Sequence, residues 1–206
     1  MEHDISAAHR WDQRYAIDDY LFGTEPATFL TTYADRIPVG SRTLMVADGE
    51  GRNSVYLAER GLNVTAMDVS PVAVEKAKAL SAGQGVSIDY QVADLLDWAW
   101  EPESYDAVVA VFIQFLSPEQ RPAVFEGMQR ALRPGGRLLL HGYRPEQLSY
   151  ATGGPPAAEN MYTEDLLAAS FRDLDIEVLE SYDTTITEGS GHDGMSALID
   201  LVATKP

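Results

Sequence analysis

The chain has 206 residues, 32 acidic against 15 basic, giving a formal net charge of −17, with 45% hydrophobic residues and no cysteine. Length and apolar content suffice for one compact domain with a three-layer core. The acidity opposes any binding mode that neutralises phosphates, so neither nucleic acid nor an anionic membrane is an expected partner, and the missing cysteines remove disulfides, thiolate metal sites and a cysteine nucleophile.

The first stretch, MEHDISAAHRWDQRYA, lacks the apolar core of a signal peptide, and no later run resembles a membrane span, so a soluble, cytoplasmic protein is expected. From about Ser41, β-rich apolar runs alternate with stretches of helical spacing, the rhythm of βαβ units in a parallel sheet covered on both faces; the class is α/β. The predicted strands are TLMVA (Thr43 to Ala47), NVTAMDV (Asn63 to Val69), SIDYQVA (Ser87 to Ala93), YDAVVAVFI (Tyr105 to Ile113) and RLLLHGY (Arg137 to Tyr143). Helices are predicted between them at Asn53 to Arg60, Ser70 to Leu80 and Pro118 to Leu132. Ser70-Pro71 is an N-cap followed by proline at the first helical position, while Gly61 and the run Arg133-Pro134-Gly135-Gly136 mark helix ends. Glu146 to Asn160 contains TGGPP and reads as a loop or lid, followed by a helix from Thr163 to Phe171. The tail supplies DIEVLESYDTT and SALIDLVAT joined by the turn-rich EGSGHDG, which predicts a closing antiparallel hairpin.

The segment Ala47-Asp48-Gly49-Glu50-Gly51-Arg52-Asn53 lies between a predicted strand and a predicted helix. Gly49 and Gly51 permit a tight turn and close approach of a nucleotide-like ligand, and the helix that follows offers free amides at its N-terminus. A glycine pair alone is a common turn; its context gives it weight. Asp68 stands at the carboxyl end of the second strand, where a carboxylate accepts from both hydroxyls of a ribose, and Asp94 ends the third, placed for an adenine amino group. Each aspartate reads equally as a helix cap, Asp68 ahead of Ser70-Pro71.

Taken in order, GEGRN, MDVSPVAVEKA, ADLLDW, YDAVVAVFI and LRPGGRLLL resemble the class I S-adenosylmethionine-dependent methyltransferases over nearly the whole chain. WDQRYAIDDYLFGTEPATFL and GEGRNSVYLAERG resemble more narrowly the tellurite-resistance and thiol methyltransferase group. The resemblance implies a single domain over residues 1–206, with residues 1–40 as an N-terminal cap over the cofactor site and residues 41–206 as a Rossmann-like core. It implies a mostly parallel seven-stranded sheet with a C-terminal antiparallel hairpin and helices on both faces. The implied cofactor is S-adenosyl-L-methionine and the implied partner a small-molecule methyl acceptor, such as a thiol or a chalcogen oxyanion like tellurite or selenite.

On that resemblance, Asp48, Gly49 and Gly51, with Asn53 beside them, would surround the cofactor's methionine part. Asp68 would hold the ribose, Asp94 and Leu95 would flank the adenine, and Val69 and Ser70 would line its apolar side. Val111, Phe112 and Gln114 would lie beside the methyl group, and Trp11, Arg14 and Tyr20 would close over the site. Met45 and Ala47 stand where many relatives carry an acid and a glycine, with Asp48 or Glu50 as the compensating acid; Gln114 stands where relatives often carry histidine.

Methyl transfer from a sulfonium is an in-line displacement that needs an aligned nucleophile and exclusion of water. A thiolate or oxyanion acceptor needs little help, whereas a neutral nitrogen or hydroxyl wants a base. Gln114, Tyr20 and His192 are the residues expected at the transfer point. For His192, an exposed turn position is favoured over a role as base or substrate ligand, and His141 reads as a core histidine. Tyr20, Phe22 and Glu25 line an acceptor pocket or staple the N-terminal segment to the domain; Arg14 and Arg144 meet an anionic group or surface acids. Thr152 to Pro156 is expected to form a lid, and no metal is expected, because no histidine and carboxylate set has ligand spacing. Two other readings share features with this one. A nicotinamide-dependent oxidoreductase is opposed by Ser54 at the third glycine of G-x-G-x-x-G, and a non-catalytic S-adenosylmethionine sensor or scaffold shares the fold.

Overall fold

The computed structural model describes residues 7–206; the first six residues of the expected cap, His3 among them, lie outside the described residues. Helices α1 (Ala7–Tyr15) and α2 (Thr28–Tyr33) precede β1 (Arg42–Val46), α3 (Arg52–Glu59), β2 (Asn63–Asp68), α4 (Pro71–Gly83) and β3 (Asp89–Val92). Then come β4 (Tyr105–Val111), α5 (Arg121–Ala131), β5 (Leu132–Tyr143), α6 (Gln147–Tyr150), α7 (Glu164–Ser170), β6 (Asp175–Glu188) and β7 (His192–Thr204).

The strands form one seven-stranded sheet in the order β3-β2-β1-β4-β5-β7-β6. Strands β1 to β5 pair in parallel, and β7 runs antiparallel to both β5 and β6. This is the expected Rossmann-like sheet with its C-terminal hairpin. The central strands are buried on both faces, which is why Leu44-Met45-Val46, Val108-Val109-Ala110 and Leu138-Leu139-Leu140 are continuous apolar runs. Phe125, Met128, Tyr162 and Phe171 pack in one core cluster and Phe29, Leu30, Leu57 and Val64 in another. Strand order reverses between β1 and β4, so a crevice opens over their carboxyl ends.

Local chemistry sets two of the helix starts. Ser70 Oγ accepts from Ala73 N at 3.1 Å with Pro71 beginning α4, and the Thr163 side chain caps α7 from Leu166 N. Helix α1 lies against α4, where Asp12 takes the Ser70 hydroxyl at 2.5 Å and Lys76 Nζ donates to the carbonyls of Tyr15, Ile17 and Asp19. These contacts lay the N-terminal segment across the crevice.

Three boundaries differ from expectation. Arg133 to Gly136 is not a separate turn but a bulge within β5, whose register passes from Tyr105↔Leu132 to Ala107↔Arg137, with Gly135 at φ 77°. The terminal hairpin is longer than its apolar runs suggest, because β6 continues to Glu188 and β7 starts at His192. Glu146 to Asn160 contains the short α6 and a 3-10 turn at Ala158–Asn160. Among the described residues, no helix is long and apolar enough to cross a membrane.

Candidate active site

A cavity of about 550 Å³ occupies the crevice, with the loop after β1 on one side, the end of β4 on the other, and residues of α1 and of Gly153 to Pro156 above it. The loop after β1 gets its shape from left-handed residues: Ala47 at φ 49°, Gly49 at 65° and Gly51 at 94°. Ala47 holds this conformation with a Cβ, a strain of order 1–3 kcal/mol at the point where the resemblance leads one to expect glycine. Gly51 has no such latitude, since a Cβ there would stand 2.7 Å from that of Ala77.

Three carboxylates at this end are oriented by their own surroundings. Asp48 accepts from Ser54 N at 3.2 Å and Ser54 Oγ at 2.5 Å, which ties the loop to α3; burial outweighs these bonds and pushes its pKa up to about 7. Asp68, only 6% exposed, accepts from Gly49 N at 2.8 Å through Oδ2 and from Ser70 N at 2.9 Å through Oδ1. Burial raises its pKa to about 6 against those two bonds. Asp94 Oδ1 accepts from Leu96 N at 2.9 Å.

Most of the residues expected at the site do line the cavity. Asp48, Gly49 and Asn53 reach it from the loop and the start of α3, and Asp68, Val69, Asp94 and Leu95 from the ends of β2 and β3. Val111, Phe112 and Gln114 border it beyond β4, and Trp11 and Arg14 from α1, where the Arg14 guanidinium lies 4.7 Å from the Trp11 ring centroid.

Others are corrected. Gly51 is outside the lining and acts as the left-handed cap of α3. Ser70 is likewise outside, its hydroxyl spent on capping α4 and on Asp12. Tyr20 faces α4 rather than the cavity: its hydroxyl donates to Lys76 O at 3.2 Å and Lys76 Nζ sits 5.1 Å from its ring centroid. Glu50, expected as a compensating acid, instead pairs with Lys76 at 2.5 Å and accepts from Leu21 N at 2.8 Å.

His192 is not an exposed turn residue. The turn closes earlier, at Gly189 to Gly191, and His192 begins β7, buried with its ring 4.5 Å from Phe22, 4.3 Å from Phe112 and 5.6 Å from Tyr143 between centroids. Burial, aided by the Arg52 charge, pushes its pKa down to about 3, so the imidazole is neutral across the physiological range. Gln114 borders the cavity, but its amide is engaged at both ends: Nε2 donates to Tyr143 O and Oε1 accepts from Tyr143 N, each at 2.6 Å. It ties the segment after β4 to the end of β5.

Arg144 pairs with Asp183 and Glu146. His141 is a core histidine, bonded to Asp200 at 2.6 Å beneath Phe112. Thr152 lies outside the lining, whereas Gly153 to Pro156 of the expected lid form part of it. Among the described residues no group of three or more histidine, aspartate or glutamate side chains is arranged to hold a metal.

Sequence reasoning missed Tyr15, Arg52 and Tyr143. Tyr15 is one helical turn from Trp11 and stacks on it at 5.5 Å; its hydroxyl would stand 2.9 Å from a Cβ on Gly49, and burial with the Asp68 and Glu50 charges holds it neutral. That spacing within WDQRY was the available signal. Arg52 forms a buried ion pair with Glu188 at 2.7 Å, and nothing local announces a partner so distant in the chain.

A family model described as "Methyltransferase domain" matches residues 44–136. An uncharacterized protein of Mycobacterium tuberculosis is 28% identical over 75% of this chain and 61% of its own length. A ubiquinone biosynthesis O-methyltransferase of Xanthomonas axonopodis pv. citri is 33% identical over 65% of this chain and 56% of its own. The chain thus spans about three fifths of the length of these curated relatives.

Among solved structures, a protein from work on the conversion of a disulfide bond into a thioacetal group during echinomycin biosynthesis superposes with a TM-score of 0.78. It is 18% identical and covers 97% of this chain and 92% of the other. TehB from Haemophilus influenzae superposes at 0.69, with 21% identity, over 85% of this chain and 61% of its own. The seven-stranded architecture is the Rossmann-like fold shared with these solved structures.

Proposed function

We propose that this protein transfers a methyl group from S-adenosylmethionine to a small acceptor, residues 1–40 serving as a cap on a Rossmann-like core of residues 41–206 within one domain. The observation that carries the reading is Asp68, a buried carboxylate at the end of β2 that borders the cavity with each oxygen already fixed by one backbone amide. Each oxygen keeps a second lone pair for a ribose hydroxyl.

Asp94 and Leu95 flank the adenine in this reading, and Gly49, Asn53 and Tyr15 bound the space for the methionine part, with Arg14 near its carboxylate. Bound there, the cofactor supplies a sulfonium whose methyl carbon the acceptor attacks in line. The chain's own contribution is positional: the Phe112 and Tyr143 rings limit the far end, and α1 with the glycine-proline loop keeps water out. A cytoplasmic setting belongs to the same reading and fits the cysteine-free composition.

Incubation of the purified chain with methyl-labelled cofactor and a panel of thiols, selenite, tellurite, small amines and phenols tests the reaction. Labelled product from one class supports the reading. Tight NADH binding without binding of S-adenosylmethionine or S-adenosylhomocysteine overturns it in favour of an oxidoreductase, and cofactor binding without product from any class favours the sensor or scaffold.

A further inference from the structure

We infer that the inner end of the cavity is an acceptor pocket for an uncharged, planar molecule bearing a hydroxyl group, held between aromatic rings by the Tyr143 hydroxyl and the His192 imidazole. This rests on the methyl-transfer reading and names the acceptor class for it.

The walls are rings from four separate segments. Phe112 lies 4.3 Å from His192 and 4.7 Å from Tyr143 between centroids, and Phe22 closes the opposite side of His192 at 4.5 Å. Phe112 holds φ 57°, a conformation costly for a bulky residue, directly beyond β4 where its ring meets the other two. The glycine loop forms the cover: a Cβ on Gly153 would lie 3.5 Å from the Tyr143 hydroxyl and 3.7 Å from His192 Cδ2, and one on Gly154 would lie 3.0 Å from Tyr143 Cδ2. Only residues without side chains sit this close over the rings, and entry of a ligand requires that loop to lift.

Two buried polar atoms within these walls lack a close hydrogen bond, His192 Nδ1 and the Tyr143 hydroxyl, which has a weak contact with the Ser196 side chain, although Tyr143 is 1% and His192 7% exposed. Buried polar atoms are nearly always well paired, so two under-bonded atoms on neighbouring rings that line one cavity mark a place for ligand atoms. A hydroxyl group complements both, since it donates and accepts at once while phenol and neutral imidazole each do either.

The charges nearby exclude an anion. Arg52, the buried cation of this region, is neutralised by Glu188 at 2.7 Å, whose other oxygen accepts from Thr28 N. The imidazole is kept neutral by burial and by the charges of Arg52 and Arg14. Arg10 and Arg14 are exposed on α1, on the outer side of the cavity. An oxyanion or carboxylate drawn to the inner end would shed its hydration for no buried unpaired cation, since Arg14, 5.9 Å from the Phe22 ring centroid, is exposed to solvent, whereas an uncharged ring loses little hydration and gains contact with the aromatic lining.

Calorimetry on the full chain tests this with three probes, 4-methylphenol, 4-methylbenzoate and tellurite, each titrated in saturating S-adenosylhomocysteine. The phenol is expected to bind at least about tenfold more tightly than either anion, and Tyr143→Phe and His192→Phe should each weaken phenol binding about tenfold while affinity for S-adenosylhomocysteine stays within about twofold. Equal or tighter binding of either anion, or phenol binding untouched by both substitutions, overturns the pocket assignment. The ranking of probes on the unmodified protein stands even where a variant fails to fold. Failure of S-adenosylhomocysteine itself to bind overturns the methyl-transfer reading and this assignment together, whereas its binding without preference for the phenol overturns this assignment alone.

Discussion

The two ends of the cavity are built by different means. At the cofactor end, Asp48, Asp68 and Asp94 are each held by a near neighbour in sequence, Ser54, Ser70 and Leu96 respectively. At the inner end, Phe22, Phe112, Tyr143 and His192 converge from distant segments and leave two polar atoms without a close hydrogen bond. One end is organised before a ligand arrives, which suits a fixed cofactor; the other is completed by what it binds, which suits a specificity pocket.

The largest effect that bears on this contrast is expected at Arg52, which joins the start of α3 to the end of β6. Arg52→Ala leaves Glu188 charged and buried and should cost about 3–5 kcal/mol in urea unfolding, whereas Arg52→Met with Glu188→Leu, which removes both charges, should cost much less. A single variant as stable as the parent would show that the pair does not hold the inner end in place.

Gln114 gives the next effect. Gln114→Leu strands the amide of Tyr143, whose carbonyl still accepts from Tyr162 N, and should lower stability by about 1–3 kcal/mol while leaving affinity for S-adenosylhomocysteine little changed. Wild-type stability with lost turnover would return Gln114 to the residues that touch the acceptor.

The two ends should also part with pH. In its proposed role Asp68 would accept from both ribose hydroxyls only when ionised, so with its pKa near 6 the affinity for S-adenosylhomocysteine should fall about tenfold between pH 7 and pH 5, as calorimetry would read it. Stability of the free protein moves the other way. Because burial raises Asp48 and Asp68 above their ordinary values, ionising them costs folding free energy; that cost is absent below pH 3.8 and grows as pH rises to about 6 and 7. Thermal unfolding across the same range checks this; His192, held neutral in the folded protein but able to take up a proton near pH 6.5 once unfolded, partly offsets the gain as pH falls. The smallest effect is expected at Tyr20: Tyr20→Phe should change cofactor affinity by less than about 0.5 kcal/mol, and a larger loss would place it at the cavity after all.

The same contrast explains what could be read from the chain alone. The succession of strands along the chain, the glycine loop and the positions of Asp68 and Asp94 follow from apolar runs, caps and turns, all local signals. The inner end depends on contacts that no local pattern encodes. EGSGHDG reads as a turn, yet Phe22 packs against Gly191 and His192 and draws the latter into a strand. DDYLFGTEP offers two aromatic residues for the pocket, and which one turns inward is decided by Lys76, which takes Tyr20 toward α4 and leaves Phe22 to the cavity. Ala47 and Phe112 hold left-handed conformations that neither residue type announces.

Titration of the unmodified protein and Asp68→Ala with S-adenosylhomocysteine tests the central claim most directly. The account predicts one site on the parent chain and an affinity lower by about 1–3 kcal/mol in the variant, with the fold intact, because charge-assisted hydrogen bonds to the ribose are lost. Equal affinity in the two proteins, or preferred binding of NADH by the parent, would contradict it.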